Sequence, residues 1–116
     1  MRWLRSLACI TLLAILSGCG PPLHERSITV EATEMRFIPD RLEVTLGEQV
    51  FLTMRNTGKL GHSLTFQFPA GDRTISAQGG MEAIMAFPAN VAGSFRFYCS
   101  VPGHAGMEGV IVIRKP

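Results

Sequence analysis

From Ile28 onward, apolar side chains recur at every second residue. Ile28 and Val30 alternate with Thr29 and Glu31, and Leu42, Val44 and Leu46 with Arg41, Glu43 and Thr45. Val50, Leu52 and Met54 then alternate with Phe51, Thr53 and Arg55, and Leu64, Phe66 and Phe68 with Ser63, Thr65 and Gln67. A period of two puts one side-chain set on one face of an extended strand, where a helix would need a period of 3.6. Further strands are expected near Glu82–Phe87, Ser94–Cys99 and Gly109–Ile113. Pro39-Asp40, Gly47, Asn56-Thr57-Gly58, Pro69 to Asp72, Gly79-Gly80 and Asn90 to Gly93 supply the turns. Seven or eight short strands in one small domain predict an all-β fold, a Greek-key β-sandwich over residues 28–116.

The segment before that pattern has a different character. Arg2 and Arg5 precede a ten-residue apolar stretch, Leu7 to Leu16, broken only by Thr11. Ten helical residues rise about 15 Å, half of a bilayer's hydrocarbon core, so residues 1–18 read as an export signal and not as a spanning helix. Leu16-Ser17-Gly18-Cys19 resembles the bacterial lipobox, whose cysteine takes a diacylglycerol and becomes the mature N-terminus. Residues 19–27, with Pro21 and Pro22, are expected to be the lipidated cysteine and a stiff tether, with His24 a solvated tether residue. The expected location is outside the cytoplasm, in the periplasm or on the outer face of the cell membrane, held by that N-terminal lipid. Removing Arg2 and Arg5 with the signal leaves nine basic and nine acidic residues. A neutral chain without a basic stripe is no nucleic-acid binder.

The cysteines narrow the chemistry. Cys9 leaves with the signal and Cys19 is lipidated, so Cys99 is the one free thiol of the exported domain, and a disulfide framework is excluded. Such a thiol needs burial or a metal. Tyr98 to Met107 holds a thiol, an imidazole (His104) and a thioether within a few residues, and His62 stands 37 residues before Cys99. Cys99 shares parity with Phe95 and Phe97, and His62 with Leu64 and Phe66, so both point into the sandwich at one end. His104 and Met107 follow in a loop that can fold over that end. One thiolate, two imidazoles and a thioether suit copper, and a His₂Cys set with a weak axial Met is the electron-transfer arrangement. Zinc, which also takes Cys and His, is the runner-up.

Together these residues resemble the cupredoxins, the small blue copper proteins. The likeness runs through Phe37-Ile38-Pro39, Leu42-Glu43-Val44, Gly47-Glu48, Asn56-Thr57-Gly58, Gly61-His62-Ser63, Gly93 to Cys99, Pro102-Gly103-His104, Met107 and Gly109-Val110. It implies one type 1 copper ion bound by His62, Cys99 and His104, with Met107 axial, and one-electron transfer between larger partners. As in azurin, a glycine precedes the first histidine, which implies a weak further contact from the Gly61 carbonyl. Ser63 and Ser100, beside two of the ligands, are expected to support them. One departure is the spacing of two residues between His104 and Met107, shorter than in plastocyanin or azurin. Subunit II of cytochrome oxidase shares the short gap, but its binuclear site needs a second loop cysteine, so a mononuclear site is implied here.

An enzyme is not expected. A multicopper oxidase or nitrite reductase needs more histidines, and a thiol hydrolase needs a nucleophile open to substrate, whereas Cys99 points inward. The alternative function is a periplasmic copper carrier or buffer that delivers copper to a respiratory or resistance system. Met35, Met54, Met81 and Met85 would be its thioether route; their strand positions instead predict core residues. A monomer is expected. Redox protein partners should dock on an apolar rim of Leu60, Pro102, Gly103 and Ala105, with His104 as the electron port.

Overall fold

The computed structural model describes residues 24–116. The expected signal segment 1–18, the lipidation site Cys19 and the tether residues up to Leu23 lie outside the described residues. Among the described residues no helix is long and apolar enough to cross a membrane.

Among the described residues nine strands form two sheets: β1 (Glu25–Thr33), β2 (Arg36–Ile38), β3 (Arg41–Thr45), β4 (Gln49–Asn56), β5 (His62–Phe68), β6 (Gly71–Ala77), β7 (Glu82–Pro88), β8 (Gly93–Tyr98) and β9 (Glu108–Arg114). One sheet has the order β2-β1-β4-β7, the other β3-β9-β8-β5-β6. β1 runs parallel to β4 and β3 parallel to β9, while the remaining pairs are antiparallel. The chain changes sheet five times, giving the Greek-key kind of sandwich that the alternation predicts. Inward residues meet between the sheets: the rings of Phe37 and Phe97 meet edge-on at 5.3 Å, and those of Phe66 and Phe87 lie tilted at 5.2 Å.

Three expectations need correction. Two strands more than the seven apolar runs are present. β2 has only three residues, and β6 is an edge strand whose first four residues are all exposed, so neither carries an apolar alternation to read. The tether ends sooner than Ser27: Glu25, Arg26 and Ser27 already pair with Gln49, Val50 and Phe51 in β1. Of the four methionines, Met54 and Met85 are core, but Met35 and Met81 are 41% and 60% exposed. Met81 precedes the first residue of β7, where strand parity no longer applies, and Met35 sits in the β1–β2 turn at φ 65°.

Candidate metal centre

Each donor is delivered by a local feature of the chain. His62 opens β5 on its inward face and is 1% exposed. Cys99 directly follows β8 and continues the buried face of Phe97. Beyond it the chain turns twice: His104 N–H donates to the Val101 carbonyl and Met107 N–H to the His104 carbonyl, at 3.1 and 3.2 Å. Gly103 and Gly106, at φ 85° and 89°, take the left-handed backbone that these turns require. Cys99 N–H then donates to the Met107 carbonyl at 2.9 Å, closing the loop and leaving the Met107 side chain buried.

The closure brings His62, Cys99 and His104 together, with one donor atom from each lying within 4.8 Å of the others. His62 Nδ1 is 3.2 Å from His104 Nδ1, which is 3.5 Å from Cys99 Sγ. An ion held about 2.0–2.3 Å from three donors in a plane spreads them to roughly 3.5–4 Å. The sulfur–nitrogen distance matches that spread and the nitrogen–nitrogen distance is slightly shorter, and a thiol with two imidazoles converging in a buried site is a donor set that suits such an ion. Burial, and secondarily the charge of His104, holds the His62 pKa below the ordinary histidine value. That direction favours the neutral ring, the form whose lone pair a metal needs.

The sulfur is supported from one side. Ser63 N–H donates to Cys99 Sγ at 3.4 Å, and the Ser63 hydroxyl lies 3.8 Å from it. That hydroxyl accepts from Ser100 N–H at 2.8 Å and pairs with the Ser100 hydroxyl at 2.8 Å. The outward face of β5 is consequently not solvated at this end. Ser63 is buried behind the sulfur, and Thr65 is buried where its hydroxyl meets that of Thr74.

Two residues that set the position of His62 escaped the sequence reading. Asn56, 1% exposed at the end of β4, donates through Nδ2 to the Leu60 and Ala77 carbonyls at 2.7 and 2.9 Å. Its Oδ1 accepts from Gly58 N–H at 3.0 Å. Ala77 pairs with His62 across β5 and β6, so one side chain ties the loop before His62 to the strand beside it. A signal was there: Asn56 has the inward parity of Val50, Leu52 and Met54, and a buried amide must find partners. Glu34, reaching from the β1–β2 turn to accept from Lys59 and Leu60 N–H, left no such mark.

The other expected positions are distributed over the same end. Leu60, Pro102, Gly103 and Ala105 are exposed, and His104 is more accessible than His62 at 9%. Leu60, Gly61, His62, Gln78, Val101 and His104 border one shallow recess. A Cβ at Gly61 would lie 3.1 Å from Gln78 Oε1, the end of an exposed side chain that can give way.

A cupredoxin-like domain family matches residues 6–113. Plastocyanin of Dryopteris crassirhizoma is 30% identical over 97 residues, covering 72% of this chain and 93% of that protein. The copper-resistant cuproprotein CopI of Rubrivivax gelatinosus is 29% identical over 113 residues, covering 78% of this chain and 67% of that protein. Among solved structures, auracyanin A of Chloroflexus aurantiacus, a blue copper protein, superposes with a TM-score of 0.67 at 20% identity, covering 78% and 99% of the two chains.

Proposed function

The chain belongs to the cupredoxin-like family, and from that premise we propose that it carries single electrons between protein partners on one type 1 copper ion. The ion would be held by His62, Cys99 and His104, with the thioether of Met107 as a weaker donor and the Gly61 carbonyl available as a further contact. The carrying observation is the convergence of the donor atoms of His62, Cys99 and His104 within 4.8 Å of one another in a buried site. When bound, copper supplies a one-electron couple; one electron arrives, one leaves, and no covalent bond to substrate forms. The protein's part is to hold the donors still. Two are fixed by strand ends, His104 by two hydrogen-bonded turns, and the sulfur by Ser63. A shell that fits both oxidation states needs little rearrangement when the electron moves, and hydrogen bonds to the cysteine sulfur tune the potential.

Function as an electron carrier also sets the outer features. Leu60, Pro102, Gly103 and Ala105 surround His104 without charge, which suits a small, transient docking contact. Residues 1–18 direct export and Cys19 carries the lipid that holds the domain at a bacterial membrane. A copper carrier is the second reading, favoured by the likeness to a copper-resistance protein and by the exposed Met35 and Met81. The domain without its lipid, loaded with Cu(II), should turn intensely blue or green, and Cys99→Ser should be colourless. Full colour in that variant refutes the site. In competition with a Cu(I) acceptor, an electron carrier keeps its ion while a copper carrier gives it up.

A further inference from the structure

The point where the chain joins the domain and the metal end lie at opposite ends of the sandwich. His24 accepts at its carbonyl from Gln49 N–H at 2.8 Å, at the start of β4. β1 and β4 then run in parallel from Glu25↔Gln49 to Ala32↔Asn56. Asn56 is the residue that braces the His62 loop. Seven residue steps at about 3.3 Å separate Gln49 from Asn56, roughly 23 Å, and the ligands stand beyond Asn56. The other end of the domain returns to the same place: Leu46 N–H donates to the Arg114 carbonyl, and His24 and Pro116 border one recess with Leu46, Gly47 and Glu48.

The root is also clamped. Arg26 binds Glu48 through two hydrogen bonds of 3.1 and 2.8 Å, and Glu48 Oε2 accepts from Thr45 N–H at 2.9 Å. A bidentate guanidinium–carboxylate pair fixes direction as well as distance. The backbone from His24 onward is therefore fixed to the sandwich. From Cys19 to His24 there are five peptide steps, which reach at most about 18 Å.

We infer that the tether is too short for the copper end to face the membrane, so this protein serves partners whose redox centre stands clear of the lipid. The inference rests on the proposed lipid anchor at Cys19. For the metal end to lie on the bilayer, the root at His24 would have to stand at least roughly 23 Å above it, beyond the reach of the tether. Upright or tilted, the domain turns Leu60, Pro102 and Ala105 outward or sideways. The matching partner is a soluble exported redox protein, or a domain that projects well beyond the bilayer. A donor dissolved in the lipid, or a site flush with it, is out of reach.

The test uses the lipidated, copper-loaded protein on liposomes, reduced so that copper is diamagnetic. Nitroxide labels are placed at Lys59→Cys, in the exposed loop at the metal end, or at Asn90→Cys, in the exposed loop at the far end. Lipid headgroups carry a chelated paramagnetic relaxant. The Asn90 label should relax several-fold faster than the Lys59 label; equal or reversed rates overturn the inference. An insertion of about fifteen Gly and Ser residues after Leu23 adds roughly 20 Å of mean reach and should shrink the difference; an undiminished difference overturns the reach argument. The mass of the N-terminal peptide separates the two ideas. Cys19 without diacylglycerol refutes the anchor and this inference together, yet leaves electron carriage standing.

Discussion

Replacing Asn56 with alanine should damage both the fold and the metal site, because one side chain braces both. The variant strands the buried Ala77 carbonyl, which now accepts from Nδ2 at 2.9 Å. It also frees the Leu60 carbonyl and Gly58 N–H, which are partly buried and can recruit water. A buried group left unsatisfied costs about 1–3 kcal/mol, and each of the two partly wet ones about 0.5–1.5 kcal/mol, so the loss is about 2–6 kcal/mol. For a domain of this size each kcal/mol moves the midpoint by about 4–8 °C, so the apo domain should melt at least ~8 °C lower. Calorimetry of the apo and copper-loaded domains is the assay. The gap in Tm between the two forms should shrink as well, since the loop that aims His62 has lost its brace and binding stabilises less. Asn56→Asp keeps the acceptor for Gly58 but turns a carboxylate oxygen onto the Leu60 and Ala77 carbonyls at a buried position, so it should cost at least as much as alanine. An alanine variant within about 1 kcal/mol of the parent, with the copper-induced gap intact, would refute the bracing role.

Met107→Leu should keep an intensely coloured centre and raise its reduction potential, because a weak sulfur donor to Cu(II) is lost; redox titration reads the shift, and a colourless variant would place Met107 among the strong ligands. The apo domain should lose stability as pH falls below about 6.5. Burial lowers the folded-state pKa of His62, so the unfolded chain binds the proton more readily, and this contribution to stability rises with pH through that window. Urea unfolding from pH 7.5 to 5 measures it, and His62→Asn should flatten the slope. Ala105→Glu places a charge on the exposed rim beside His104; stopped-flow electron exchange with the physiological partner should slow while the colour stays nearly unchanged. Unchanged exchange would move the docking site elsewhere.

What the sequence by itself determined is local. A strand repeats its side-chain direction every second residue, so the inward sets of β3, β4, β5 and β8 could be read directly, and with them the inward aim of His62 and Cys99. The donor chemistry of Cys, His and Met likewise belongs to residue type, which is why copper was legible from ten residues and one distant histidine. The tertiary structure decided what depends on neighbours far along the chain. It paired β1 with β4 and β3 with β9 in parallel, and recruited Arg36–Ile38 and Gly71–Ala77 as strands without apolar alternation. It buried Ser63 behind the sulfur and left Met35 and Met81 outside the core. Glu34 shows the limit most clearly: its carboxylate reaches Lys59 and Leu60, 25 and 26 residues away. Such a contact leaves no periodic trace, because only closure of the sandwich brings those backbones together.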